Sequence, residues 1–149
     1  MLSISHGPSG AFIASKIPNP LISVPLCIAI HFFEDAIPHW DVGQGMNKKT
    51  KSKKAAFIQE LTWDFPLSIV IVYIFFQYGH STIQYQAWLG WFAALLPDFL
   101  EFPYVFLGWR FRPISDLARL HAYFHRSTAK KLLGLAPQII TLGLIFLLR

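Results

Sequence analysis

The pattern of hydrophobic and polar positions along the chain predicts four apolar helical segments separated by polar loops. Most of them approach or exceed the roughly 20 residues that an α-helix needs to cross the hydrocarbon core of a bilayer. The segments are Leu21–Ile37, Ala55–Gly79, Gln86–Trp109 and Leu132–Leu148. We therefore predict an all-α protein, an integral membrane helix bundle with about four spans that forms one domain over residues 1–149.

The N-terminal region predicts a broken or re-entrant helix before the first span. Residues 3–16 are mildly apolar but too short to cross a bilayer, and Pro18-Asn-Pro20 interrupts the helix that would follow. His6 lies twelve residues before Pro18, and His31 lies eleven residues after Pro20. At 1.5 Å per residue both are roughly 17 Å from the turn. A helical hairpin would therefore bring the two histidines to the same depth.

Composition and charge support a membrane location. The sequence is 54% hydrophobic and 14% charged, with a net charge of +5, whereas about a quarter of the residues in a soluble domain are charged. Five of the thirteen Lys and Arg lie in Asn47–Lys54 and six in Arg110–Lys131. This positive-inside pattern predicts a multi-pass protein of the cell (inner) membrane with both basic loops cytoplasmic, in contact with lipids rather than nucleic acid. We expect the second basic segment to be an amphipathic interfacial helix.

Candidate chemistry is concentrated in the stretch from His31 to Asp41, directly after an apolar run. In a helix, His31, Asp35 and His39 follow one another at i, i+4 and i+8, and Glu34 lies beside His31. Charge at the end of an apolar segment is costly unless it is paired, hydrated or bound to metal. Imidazole and carboxylate groups one turn apart are a common way for a helix to present metal ligands. His39 and Asp41 lie beyond Pro38 and are expected in a second ring or a loop.

The predicted topology brings further polar residues to the same cytoplasmic end. Asp98 and Glu101 lie one turn apart in the third span, and His121 and His125 lie one turn apart in the amphipathic segment. Only Glu60 and Asp116 are expected to be ordinary surface acids. The candidate metal ligands are His6, His31, Asp35, Asp64, Asp98, His121 and His125. Mixed His and carboxylate ligands suit zinc best, with manganese or iron as alternatives, and the number of ligands is compatible with two ions.

Such a site predicts a metal-dependent hydrolase. A metal ion would acidify a bound water and polarise an ester or phosphoester oxygen, with Glu34 or Glu101 as general base. A site at the membrane surface favours a lipid-like substrate. Arg119 and Arg126 are expected to hold its phosphate.

The same motifs resemble a known family, the small membrane-bound metal-dependent hydrolases described as YdjM-like. The matching pieces are His6-Gly-Pro-Ser-Gly10, His31-Phe-Phe-Glu-Asp35, Gly90-Trp-Phe-Ala-Ala-Leu-Leu-Pro-Asp98 and His121-Ala-Tyr-Phe-His125. The late pair reads His-Arg-Ser-Thr at 125–128 and lacks the His-Arg-Gly-x-Thr-His-Ser form of many members. The resemblance implies a membrane hydrolase that uses these His and Asp residues. The helix around His31 is also similar, in one motif, to the zinc-dependent phospholipase C and nuclease superfamily.

The sequence has two alternative interpretations besides a hydrolase. The intramembrane acids are compatible with a non-catalytic role, as an ion or proton pathway or in a structural protein, although the outer half of the predicted bundle offers few polar residues. Haem held by paired histidines is disfavoured by the surrounding carboxylates.

Overall fold

The protein is described here from a computed structural model, which covers residues 1–46 and 51–149. These residues form helices and no β-strand, so the all-α prediction is confirmed. The helices of these two ranges are α1 (Ser3–Lys16), α2 (Pro20–Asp35), α3 (Lys53–Gln77), α4 (Tyr85–Phe106), α5 (Arg112–Phe124) and α6 (Lys131–Leu148). Part of the first basic loop, Asn47–Thr50, lies outside the described residues.

The α1–α2 pair forms the helical hairpin that the Pro18–Pro20 break predicts. Asn19 caps α2 because its side chain accepts a hydrogen bond from the Leu21 N–H at 3.0 Å, and Pro20 occupies the first turn, where its missing N–H costs nothing. At the far end of the hairpin the rings of His6 and His31 stack with their centroids 4.1 Å apart. The two histidines are therefore at the same level, as predicted.

Helix α1 is the central element, and it packs against α2, α3, α4 and α6. Its closest approach is to α4, where Gly10 and Gly90 face each other. A Cβ atom on Gly90 would lie 2.1 Å from the Gly10 carbonyl oxygen, and one on Gly10 would lie 2.2 Å from the Gly90 oxygen. Small residues at this crossing let the two backbones meet.

The interior and the surface of the described residues have unusual compositions. Ala and Ser are common inside, and buried His, Asp and Glu lie at one end of the bundle, whereas large apolar side chains of α2, α3, α4 and α6 are exposed. Leu132, Ile139 and Leu147 on α6, for example, are exposed by 87%, 66% and 77%. An exposed apolar surface of this extent is typical of a membrane or protein contact.

Two helices of the described chain, α3 and α6, are long and apolar enough to cross a membrane, with mean hydropathies of 1.3 and 1.9. The other two predicted spans, which correspond to α2 and α4, are not both long and apolar enough, so a bundle with four spans is not confirmed. Helix α2 has only 16 residues, which is shorter than a bilayer core requires. Helix α4 has 22 residues, but Asp98 and Glu101 lower its hydropathy.

Candidate metal centre

A first group of four ligand atoms forms where α2, α4 and α5 meet. Nε2 of His31 lies 3.4 Å from Nε2 of His121, 3.5 Å from Oδ2 of Asp35 and 3.7 Å from Oδ1 of Asp98. Nε2 of His121 lies 2.6 Å from the same Asp35 oxygen and 3.7 Å from the same Asp98 oxygen. Ligands about 2.1 Å from a tetrahedral zinc ion are separated by about 3.4 Å. Four of these five separations are 3.4 to 3.7 Å, as around one ion, and the 2.6 Å between His121 and Asp35 is a hydrogen-bond distance.

The other ring nitrogens in this region orient the imidazoles. Nδ1–H of His31 donates to the Ala94 carbonyl at 2.8 Å, Nδ1–H of His39 donates to the Ile37 carbonyl at 2.8 Å, and Nδ1 of His121 pairs with Glu101. Each of these bonds turns Nε2 towards the centre of the cluster. Partners of this kind fix the tautomer and the direction of metal-binding histidines.

His6 joins the cluster from α1. Its Nδ1 lies 2.7 Å from Oε2 of Glu34, and its Nε2 lies 3.1 Å from Oδ1 of Asp35. The Met1 ammonium group contacts the same Asp35 oxygen and lies 2.8 Å from His6 Nε2. Oδ1 of Asp35 therefore has two nitrogen neighbours, the Met1 nitrogen and Nε2 of His6.

A second group of ligand atoms lies next to the first and shares Asp35. It contains His39, which follows α2, and His125, at the end of α5, whose Nε2 atoms are 3.1 Å apart. Backbone hydrogen bonds hold the two segments together, because the His39 N–H donates to the Arg126 carbonyl at 3.1 Å and the Thr128 N–H donates to the His39 carbonyl at 2.7 Å. His39 lies in the loop that follows α2, as expected for a residue beyond Pro38, and it is completely buried beside the other histidines of the cluster.

Several combinations of three side chains in the described chain place their ligand atoms within 4.8 Å of one another. They are His6, His31 and Asp98; His31, Asp35 and His121; Asp35, His39 and His125; and Asp98, Glu101 and His121. The combinations overlap and form one continuous cluster. The Asp98 side chain is 40% exposed and that of His125 is 31% exposed, so the cluster is open along this edge.

The histidines outside the helical spans differ in charge. Burial lowers the pKa of His39 and of His125 to about 3, so both rings are neutral at pH 7 and offer a nitrogen lone pair. For His121, burial also lowers the pKa, but the hydrogen bond to Glu101 and the charge of Asp98 outweigh it and the net shift is upwards. A metal ion at Nε2 of His121 would compete with a proton for that nitrogen.

Asp64 and Glu60 bind the N-terminal end of α1. Asp64 is completely buried and accepts hydrogen bonds from the backbone N–H groups of Ser3 at 2.9 Å and Ile4 at 3.1 Å. It caps α1 from a neighbouring helix, where a carboxylate also complements the helix dipole. Glu60 accepts a hydrogen bond from the Ser3 hydroxyl at 2.6 Å and is half-buried, so the expectation of an ordinary surface acid was wrong.

The remaining predicted site residues lie as follows. Glu34 and Glu101 bond to His6 and His121, respectively. Arg119 pairs with Asp116, the other expected surface acid, on the exposed face of α5, and Arg126 is exposed. Asp41 was not among the predicted ligands; it lies in the loop after α2, and its Oδ2 is 3.6 Å from Nε2 of both His39 and His125. The sequence signal for it is its place in the short His31–Asp41 stretch.

Comparisons with protein-family models, with curated proteins and with solved structures gave no match.

Proposed function

We propose that this protein is an integral membrane, metal-dependent hydrolase whose metal is held by His31, His121, Asp35 and Asp98. The observation that supports it is that the two Nε2 atoms lie 3.4 Å apart and each 3.7 Å from Oδ1 of Asp98, with Oδ2 of Asp35 at 3.5 Å from His31 and 2.6 Å from His121. Zinc fits this mixed His and carboxylate set best, and manganese or iron are alternatives.

The charge balance of the cluster also favours a cation. Among the described residues, the ion pairs of Asp35 and Asp98 are made with histidines and the Met1 ammonium group. Clustered carboxylates repel one another and are costly to bury. A divalent ion would balance two carboxylate charges, which neutral imidazoles do not.

The proposed chemistry is hydrolysis of an ester or phosphoester. A bound divalent ion supplies an acidified water and polarises the oxygen of the scissile bond. Glu34 and Glu101 were predicted as candidate general bases, but their bonds to Nδ1 of His6 and His121 favour a positioning role instead. Family membership among the YdjM-like hydrolases is part of this proposal and rests on the four motifs.

A lipid-like substrate fits the surroundings of the cluster. A cavity of about 320 Å³ runs between α1, α2 and α6, lined mainly by apolar side chains such as Phe12, Ile30 and Leu144. Ser9 and Glu34 also line it, and Glu34 bonds to His6 of the cluster. An acyl chain in this groove would bring its head group close to the ligands. The exposed Arg119 and Arg126 are then candidates for contacts with the phosphates of surrounding lipids.

We further propose that the bundle is embedded in the cell (inner) membrane with the cluster at its cytoplasmic end. The exposed apolar side chains of α2, α3, α4 and α6 support this arrangement. The basic residues of Arg110–Lys131 lie on and around α5, next to the cluster. The positive-inside rule then orients this end towards the cytoplasm.

Metal analysis of the purified protein tests the proposal. We expect bound zinc, manganese or iron in the wild type, and at least a tenfold weaker affinity in His31→Ala and Asp98→Ala, since each loses a ligand. His80→Ala is the matched control, because His80 is exposed in the turn before α4. A metal-free wild-type protein, or equal metal content in His31→Ala and His80→Ala, would refute the proposed site.

Hydrolysis of a phospholipid or phosphoester by the metal-loaded protein, lost in Asp98→Ala, tests the reaction.

A further inference from the structure

We infer that the cluster holds a second metal ion, bound by His39, His125 and Asp41 and bridged to the first by Asp35. This inference rests on the proposed function, since it adds an ion to the same centre. It assigns a metal-ligand role to His39 and Asp41, which are not among the ligands predicted from the sequence.

The ligand spacing of the second position repeats that of the first. Nε2 of His39 lies 3.1 Å from Nε2 of His125 and 3.7 Å from Oδ1 of Asp35. Oδ2 of Asp41 lies 3.6 Å from both Nε2 atoms. These separations again match the about 3.4 Å expected between ligands of a tetrahedral ion.

Asp41 carries an independent sign of a ligand. Among the described residues its Oδ2 atom has no hydrogen-bond partner, although the side chain is only 9% exposed. Buried carboxylate oxygens are rarely left without a partner, because desolvation then goes uncompensated. An ion between this oxygen and the two Nε2 atoms would supply the missing interaction.

Asp35 connects the two positions through its two oxygens. Oδ2 faces His31 and His121, whereas Oδ1 lies 3.7 Å from Nε2 of His39 and also contacts the Met1 ammonium group, which a second ion would displace. The side chain is 1% exposed, so neither oxygen is turned towards solvent. A bridging carboxylate of this kind is suited to ions about 3.5–4 Å apart, the separation found in two-metal phosphatases and nucleases.

The two-ion arrangement narrows the substrate class. Two adjacent ions can stabilise both the attacking and the leaving oxygen of a phosphoryl group. If the proposed hydrolase activity is present, we therefore expect a phosphoester to be cleaved in preference to a carboxylic ester of the same lipid.

Manganese stoichiometry and electron paramagnetic resonance test the inference on the full chain in detergent. We expect two Mn²⁺ ions per wild-type chain and a spectrum of an exchange-coupled pair. Asp41→Asn and His39→Gln should retain one ion and show an uncoupled spectrum, and Asp35→Ala should weaken both sites. Asp116→Asn is the matched control, because Asp116 pairs with Arg119 on the exposed face of α5.

The possible outcomes separate the two proposals. One ion per wild-type chain, lost in His31→Ala but unaffected by Asp41→Asn, would overturn the second site and leave the first intact. A metal-free wild type would refute both. If Asp41→Asn does not fold, His125→Gln and His39→Gln take its place, and two coupled ions in either of them would also overturn the inference.

Discussion

At the residue scale, the acids within apolar helices serve two different purposes. Asp98 points into the cluster and lies 3.7 Å from Nε2 of both His31 and His121. Asp64, predicted as a further metal ligand, instead accepts two backbone N–H groups of α1. Its carboxylate satisfies donors that have no partner inside their own helix. An acid in an apolar span therefore marks either a site or a helix cap, and its contacts distinguish the two.

The capping role of Asp64 predicts a loss of stability. In Asp64→Ala the buried N–H groups of Ser3 and Ile4 lose their acceptor, which we expect to lower the free energy of unfolding by about 2–4 kcal/mol. Denaturant unfolding of the purified protein in detergent measures this. Asp116→Ala, at an exposed position, serves as the control and should change stability little. Equal stability of the two variants would contradict the capping role.

At the element scale, local spacing predicted which side chains a helix presents on one face. It did not predict which part of the cluster each of them contacts. His121 and His125 are one turn apart on α5 and were predicted as a pair. In the structure His121 faces His31 and Asp98, whereas His125 faces His39 and Asp41. The difference arises because α5 ends at Phe124 and the chain then runs alongside the His39 segment.

The close crossing of α1 and α4 predicts that Gly90 does not tolerate a side chain. The Cβ of Gly90→Ala would lie 2.1 Å from the Gly10 carbonyl oxygen, so the helices must separate. We expect a loss of about 1–3 kcal/mol, as in other overpacked interiors, measured by thermal or denaturant unfolding. Gly143→Ala on α6 is the control, because nothing lies within 4 Å of its added Cβ. The control should be neutral or slightly stabilising, since Ala favours helix. Equal stability of Gly90→Ala and Gly143→Ala would argue against tight packing of α1 on α4.

At the scale of the whole molecule, many buried side chains are polar and many large apolar side chains are exposed. Five of the six histidines gather in one cluster at one end, and His80 lies in the turn before α4. The described surface, in contrast, exposes many Leu, Ile and Phe side chains. This distribution is the reverse of a water-soluble domain and agrees with the proposed membrane location.

The proposed topology predicts that the two ends of the bundle lie on opposite sides of the membrane. In a Cys27→Ser background, Ser81→Cys reports the turn before α4 and Ala129→Cys reports the loop before α6; both positions are exposed. A membrane-impermeant maleimide should label Ser81→Cys in intact spheroplasts and Ala129→Cys only after lysis. The Cys27→Ser parent is the control for background labelling. Labelling of both positions from the same side would contradict the topology.

The sequence by itself determined the helical class, the helix break at Pro18–Pro20 and the types of side chain in the cluster. These follow from short-range features, namely periodicity, proline breaks and residues one turn apart. Tertiary structure alone decided that Asp64 caps α1, that Glu34 and Glu101 orient histidines, and that His39 and Asp41 join the cluster. These outcomes depend on helix rotation and on contacts between residues far apart in the chain, which local patterns do not encode.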